Sequence, residues 1–146
     1  MDRLETLSKD LSKKIRQATS QKKIELIFTA CEFAIKKSQI NHPLLDKILK
    51  EIKGNREISQ SEKSKLEKLA YELDNKYFDL QEASEKGLAS TEDYLEAFSK
   101  ARAVFALLFA FNEDLTVAVS EVIYEASSTI DDKNEFFTLI NSVIEN

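Results

Sequence analysis

One histidine and one cysteine bound the chemistry open to this chain of 146 residues. Zinc sites are built from clustered Cys and His, and His42 and Cys31 stand eleven positions apart with no further member of either type. Di-iron bundles draw Glu-x-x-His pairs from two helices, whereas Gln39 occupies the position three before His42. A Ser-His-Asp arrangement would have to recruit His42, and no strand-turn-helix elbow surrounds any serine. His42 precedes Pro43 in a turn setting, where a capping or surface role suits it. Cys31 lies among apolar residues, which keep a thiol inert, and with no second cysteine no internal disulfide forms. The two glycines, Gly54 and Gly87, cannot make a phosphate-cradling loop. Carboxylate pairs four apart, Glu92 with Glu96 and Glu121 with Glu125, leave a magnesium-dependent enzyme as a third-ranked reading, since Mg²⁺ takes one or two carboxylates plus substrate oxygens. Each pair is expected on a solvated helix face. The expectation is a non-enzymatic protein without a cofactor.

Two features carry more. Arg102 sits at the edge of an apolar helix, flanked at helical spacing by Leu95, Phe98, Ala106 and Phe109. Stripping its charge of water unpaired costs several kcal/mol. It therefore either pairs with a carboxylate of a neighbouring helix, with Glu121 or Glu125 as candidates, or binds an anionic ligand at a pocket wall. The second feature is the set Val117, Glu121, Tyr124, Glu125 and Ser128, which falls on the side of its helix away from the stripe of Leu115, Val119, Val122 and Ala126. An aromatic among acids suits a protein partner, because Tyr offers large contact area at low entropy cost. The alternative is that another element covers Tyr124.

Charge is uneven along the chain. Residues 1–53 carry 12 basic and 7 acidic side chains, and residues 54–146 carry 9 and 19, within a net charge of −5. Lys9, Lys13 and Arg16, with Lys14, Lys22 and Lys23 nearby, could meet phosphates, but no aromatic stacks among them and the total charge is negative, so no nucleic-acid partner is expected. The start, Met1-Asp2-Arg3-Leu4-Glu5, alternates charged and apolar residues and lacks the apolar core of a secretory signal. Together with the single cysteine this leads to a cytoplasmic expectation and no membrane.

The elements that must position these residues read as helices throughout, since two glycines and one proline leave few breaks in a chain rich in Leu, Ala, Lys and Glu. Leu4, Leu7, Leu11 and Ile15 predict a first helix over 2–17. A second, capped by Ser20, has apolar stripes on opposite sides and is expected inside the bundle. Pro43 opens a third that ends at Gly54. Ser59 with Glu62 forms a capping box for a long fourth, on which Tyr71 and Phe78, seven apart, imply a further packing contact or a homodimer. Ser90 or Thr91 opens the fifth, about 91–111, whose stretch 101–111 has ten apolar residues and one charge. Such a helix is enclosed by others, here expected to be the second, fourth and sixth; it is too short to cross a membrane, which takes about 20 apolar residues. The sixth begins at Leu115, and Asp131-Asp132 caps the seventh. The reading is all-α, one domain over 1–146, a compact bundle of about seven helices around the central one.

The tract Tyr94-Leu95-Glu96-Ala97-Phe98-Ser99-Lys100-Ala101-Arg102-Ala103, continuing through Glu121-Val122-Ile123-Tyr124-Glu125-Ala126, resembles small all-helical bacterial proteins of uncharacterised or toxin-immunity type. The resemblance covers about residues 94–126 and implies a non-catalytic binder whose acidic C-terminal half would meet a basic toxin. The function expected is a protein-binding module using the acidic surface of the last helices. The alternative is a binder of a small anionic molecule with Arg102 at the pocket wall.

Overall fold

The computed structural model describes residues 2–54 and 56–146. A short 3₁₀ turn, η1 (Arg3–Thr6), precedes α1 (Lys9–Gln17), α2 (Ser20–Ser38), α3 (Pro43–Lys53), α4 (Gln60–Glu85), α5 (Thr91–Phe109), α6 (Leu115–Ser127) and α7 (Asn134–Glu145). The architecture is an all-helical bundle. No helix among the described residues is long and apolar enough to cross a membrane.

Side-chain caps account for most boundaries. Ser59 and Glu62 satisfy each other's backbone N–H groups at the start of α4, and Ser90 with Asp93 does the same for α5. His42 Nδ1 accepts from the Leu44 amide and so caps α3, with Pro43 in its first turn. Three boundaries differ from expectation. The first helix is broken, because the Ser8 side chain accepts from the Leu11 amide and starts α1 afresh, leaving η1 to turn separately. Thr19, not Ser20, caps α2, and α7 begins after Lys133 without a side-chain cap on its own N-cap residue. Asp132 instead accepts from the Asn134 amide.

α5 is the hub. It packs on α4, α6 and α2, while α2 also meets α3, α6 and α7. Small residues allow this approach: Ala101, Ala103, Val104, Ala106 and Leu107 of α5 are wholly buried. The same buried cluster includes Leu26, Ala30 and Phe33 of α2 and Val119, Val122, Ile123 and Ala126 of α6, with Phe33 against Phe136 of α7. Cys31 is fully enclosed, and burial pushes its thiol pKa up, so it is an inert apolar contact. At the far end of α5, the Arg56 guanidinium donates to the Ala110 and Asn112 carbonyls at 2.7 and 2.9 Å, answering acceptors that the helix end leaves open.

The core does not extend along all of α5. The packed cluster ends at Leu73 on α4 and Ala103 on α5. Between 71 and 100 the one buried side chain is Ala97. The α4–α5 hairpin thus runs on past the core as a two-helix arm.

Candidate functional site

Four residues of α5 at helical spacing, Phe98, Arg102, Phe105 and Phe109, remain half-buried and form a strip between α4 and α6. The sequence places them one above another. What lies beside them decides what the strip can do.

On the α4 side, Tyr71 meets Phe105 edge to face at 5.8 Å, and Tyr77 lies 5.1 Å from Phe98 and 6.1 Å from Tyr94 between ring centroids. Phe78 leans on Tyr77 at 5.0 Å. Tyr71 and Phe78 nevertheless remain 60% and 59% exposed. The stripe they form is therefore not covered by another helix, contrary to the packing contact that their spacing suggests. Six of the thirteen Phe and Tyr residues, Tyr71, Tyr77, Phe78, Tyr94, Phe98 and Phe105, belong to this part of the hairpin.

On the α6 side the strip meets charges. Arg102 donates to Asp74 of α4 at 2.8 Å and to Glu125 of α6 at 3.1 Å, with its guanidinium over the rings of Phe105 and Phe98. The expected pairing with Glu125 is present, and Asp74 is a partner that the sequence reading missed. Glu125 also accepts from Arg3 of η1 at 2.9 Å, and Arg3 donates to Glu121 as well. The Arg3 guanidinium lies 4.4 Å from the Tyr124 ring centroid and 5.6 Å from that of Phe109. Burial would lower the Arg3 pKa, but its hydrogen bonds to Glu121 and Glu125 outweigh this and raise it.

The five residues proposed on the outer face of α6 therefore divide. Val117 is exposed, at 42%. Tyr124 and Glu121 are half-buried beneath Arg3, and Ser128 donates to the Tyr124 carbonyl. Glu125 does not point outward as expected: it is 2% exposed and held between two guanidiniums. A buried carboxylate requires such partners, and both of its oxygens have them.

The pairing of Arg102 also bears on the anion-binding alternative. Its charge faces two carboxylates, which repel an anion. A cleft of about 620 Å³ does adjoin Phe109, but Arg56, Glu57, Lys63 and Glu113 give it mixed charge, and Arg56 is engaged with helix carbonyls. Among the described residues no three His, Cys, Asp or Glu side chains are gathered to hold a metal ion. Glu96 pairs with Lys100 along its own helix.

Charge sharpens the picture of the arm. Residues 71–98 contain eight acidic and two basic side chains, a net −6, whereas the whole chain carries −5. The remainder sums close to zero only because residues 1–70 are basic; residues 99–146 carry eight acidic and three basic side chains, a net −5, so the segment that bears the exposed aromatics is the more densely acidic part of an acidic C-terminal portion.

Compared with protein families, curated proteins and solved structures, the chain matches none of them.

Proposed function

We propose that this protein is a cytoplasmic, non-enzymatic binding module that docks a basic protein on the face formed by the α4–α5 arm and the outer side of α6. The observation that carries the reading is the coincidence, on residues 71–98, of exposed Tyr71 and Phe78 with a net charge of −6. Exposed aromatics supply the desolvated centre of an interface, and the surrounding acids steer a partner of opposite charge. The residues behind the toxin-immunity resemblance, among them Tyr94, Phe98, Arg102, Glu121 and Tyr124, fall on this same face. That supports a partner of basic-toxin type, neutralised by occupancy. Nucleic acid is disfavoured by the sign of the charge.

The test is affinity capture with the intact chain beside a Tyr71→Ser/Phe78→Ser variant. The expected result is a basic protein retained by the wild type, lost with the variant, and bound more slowly as salt rises. Recovery of the same proteins by both forms overturns the reading.

A further inference from the structure

The Arg102 and Arg3 settings are built alike. Arg102 lies between Asp74 and Glu125 and over Phe98 and Phe105; Arg3 lies between Glu121 and Glu125 and over Phe109 and Tyr124. Each is two carboxylates and two aromatic rings around one guanidinium, and Glu125 belongs to both. They differ in access. The Arg102 side chain is 18% exposed and rises from the hub helix, whereas that of Arg3 is 44% exposed and rises from a four-residue turn.

That turn is anchored without Arg3. Leu4 is wholly buried, Asp2 accepts from the Glu5 amide and the Ser12 hydroxyl, and Glu5 pairs with Arg16. The Arg3 side chain can therefore swing away while η1 stays in place, and doing so uncovers Glu121, Tyr124 and Phe109. Two carboxylates and flanking ring faces suit a planar fork of N–H donors much better than they suit an ammonium.

We propose that Glu121, Glu125, Tyr124 and Phe109 form an arginine-recognition site, that Arg3 is its intramolecular placeholder, and that an arginine of the basic protein partner replaces it. This rests on the protein-binding reading above and names the group recognised. The chain is then self-masked. If Arg3 occupies the site about 90% of the time, the apparent affinity for an incoming arginine is lowered about tenfold.

The probe is a synthetic nonapeptide with three arginines spaced by glycines, beside its lysine counterpart of equal charge. Both are titrated into the full chain while the amide resonances of α6 are followed. Arg3→Gln, shown to be folded by its thermal transition, is expected to bind the arginine peptide about tenfold tighter than the wild type, with shifts centred on residues 121–125. It should bind the lysine peptide more weakly, and adding Glu121→Gln should abolish the gain. Arg3→Lys, which keeps the charge but loses the fork, should give a smaller gain and serves if Arg3→Gln does not fold. Unchanged or weaker binding in the folded Arg3 variant, or equal binding of the two peptides, overturns the proposal. Such a result while the wild type still captures a basic protein that the Tyr71→Ser/Phe78→Ser variant loses removes the arginine site alone; no basic protein retained by the wild type, or equal retention by that variant, removes the protein-binding reading.

Discussion

The two halves of α5 have the same backbone and opposite fates. From Ala101 to Leu107 it is built mainly of Ala, Val and Leu, and neighbours approach closely on several sides. From Thr91 to Lys100 it carries Tyr94, Leu95 and Phe98 beside Glu92, Asp93 and Glu96, and α4 is its main neighbour. The difference shows that bulk and hydrophobicity alone do not pull a segment into a core. Small side chains let the first half be enclosed, while charges on the second leave large aromatics half in water, available to a partner.

Leu107→Ala tests the enclosed half most severely. The side chain is wholly buried, so its truncation should cost about 3–5 kcal/mol in urea or thermal unfolding. Leu95→Ala on the exposed half, where Leu95 is 44% exposed, should change stability by about 0.5 kcal/mol or less. Equal losses at the two sites would erase the distinction between core and arm.

Glu125 joins the halves, since through Arg102 and Asp74 it ties α6 to the base of the arm. Glu125→Gln should destabilise by about 3 kcal/mol, because it removes one partner from a buried ion pair. A double-mutant cycle with Arg102→Met would show how much of that loss belongs to the pair. A loss within about 0.5 kcal/mol, the level of an ordinary surface site, would mean that packing alone sets the arm.

The caps give smaller effects. Ser90→Ala should cost about 1 kcal/mol. Its signature should be faster amide hydrogen exchange confined to the first turns of α5, with 101–107 unaffected if the arm frays independently. At the start of α4, the backbone N–H of Ser59, with Lys47, holds the Glu62 carboxyl below the usual carboxylate range. Because the folded pKa is the lower one, its contribution is present above the ordinary carboxylate pKa and is lost as pH falls through the folded value. Exchange of the Ser59 amide should therefore show less protection, relative to its intrinsic rate, as pH falls through that range. Unchanged relative protection would show that the carboxylate is not what holds that amide.

Much of this was legible in the chain. The run 101–111 marks the hub, and Ser59, Ser90 and His42 stand where helices start, because capping is a local exchange between side chain and nearby backbone. The Arg102–Glu125 pair was legible too, since a charge beside an apolar surface calls for a partner. The break at Ser8 was missed because the apolar spacing of Leu4, Leu7, Leu11 and Ile15 continues across it. Glu125 was misplaced because its charge argued for the outer side, although it stands seven positions after Ala118 and three after Val122, both buried; Arg3, 122 residues distant, gives no local signal that it will pair there.

Local sequence set the helices other than the first, the caps at Ser59, Ser90 and His42, the hub and the negative charge of 71–98, since each follows from neighbours a few positions apart. Only the packed fold decided that Tyr71 and Phe78 stay open to water, that Glu125 is shared by Arg3 and Arg102, and that Arg3 covers Tyr124. Those outcomes depend on which helices run out of neighbours and which charges meet across more than a hundred residues, and no periodicity encodes either.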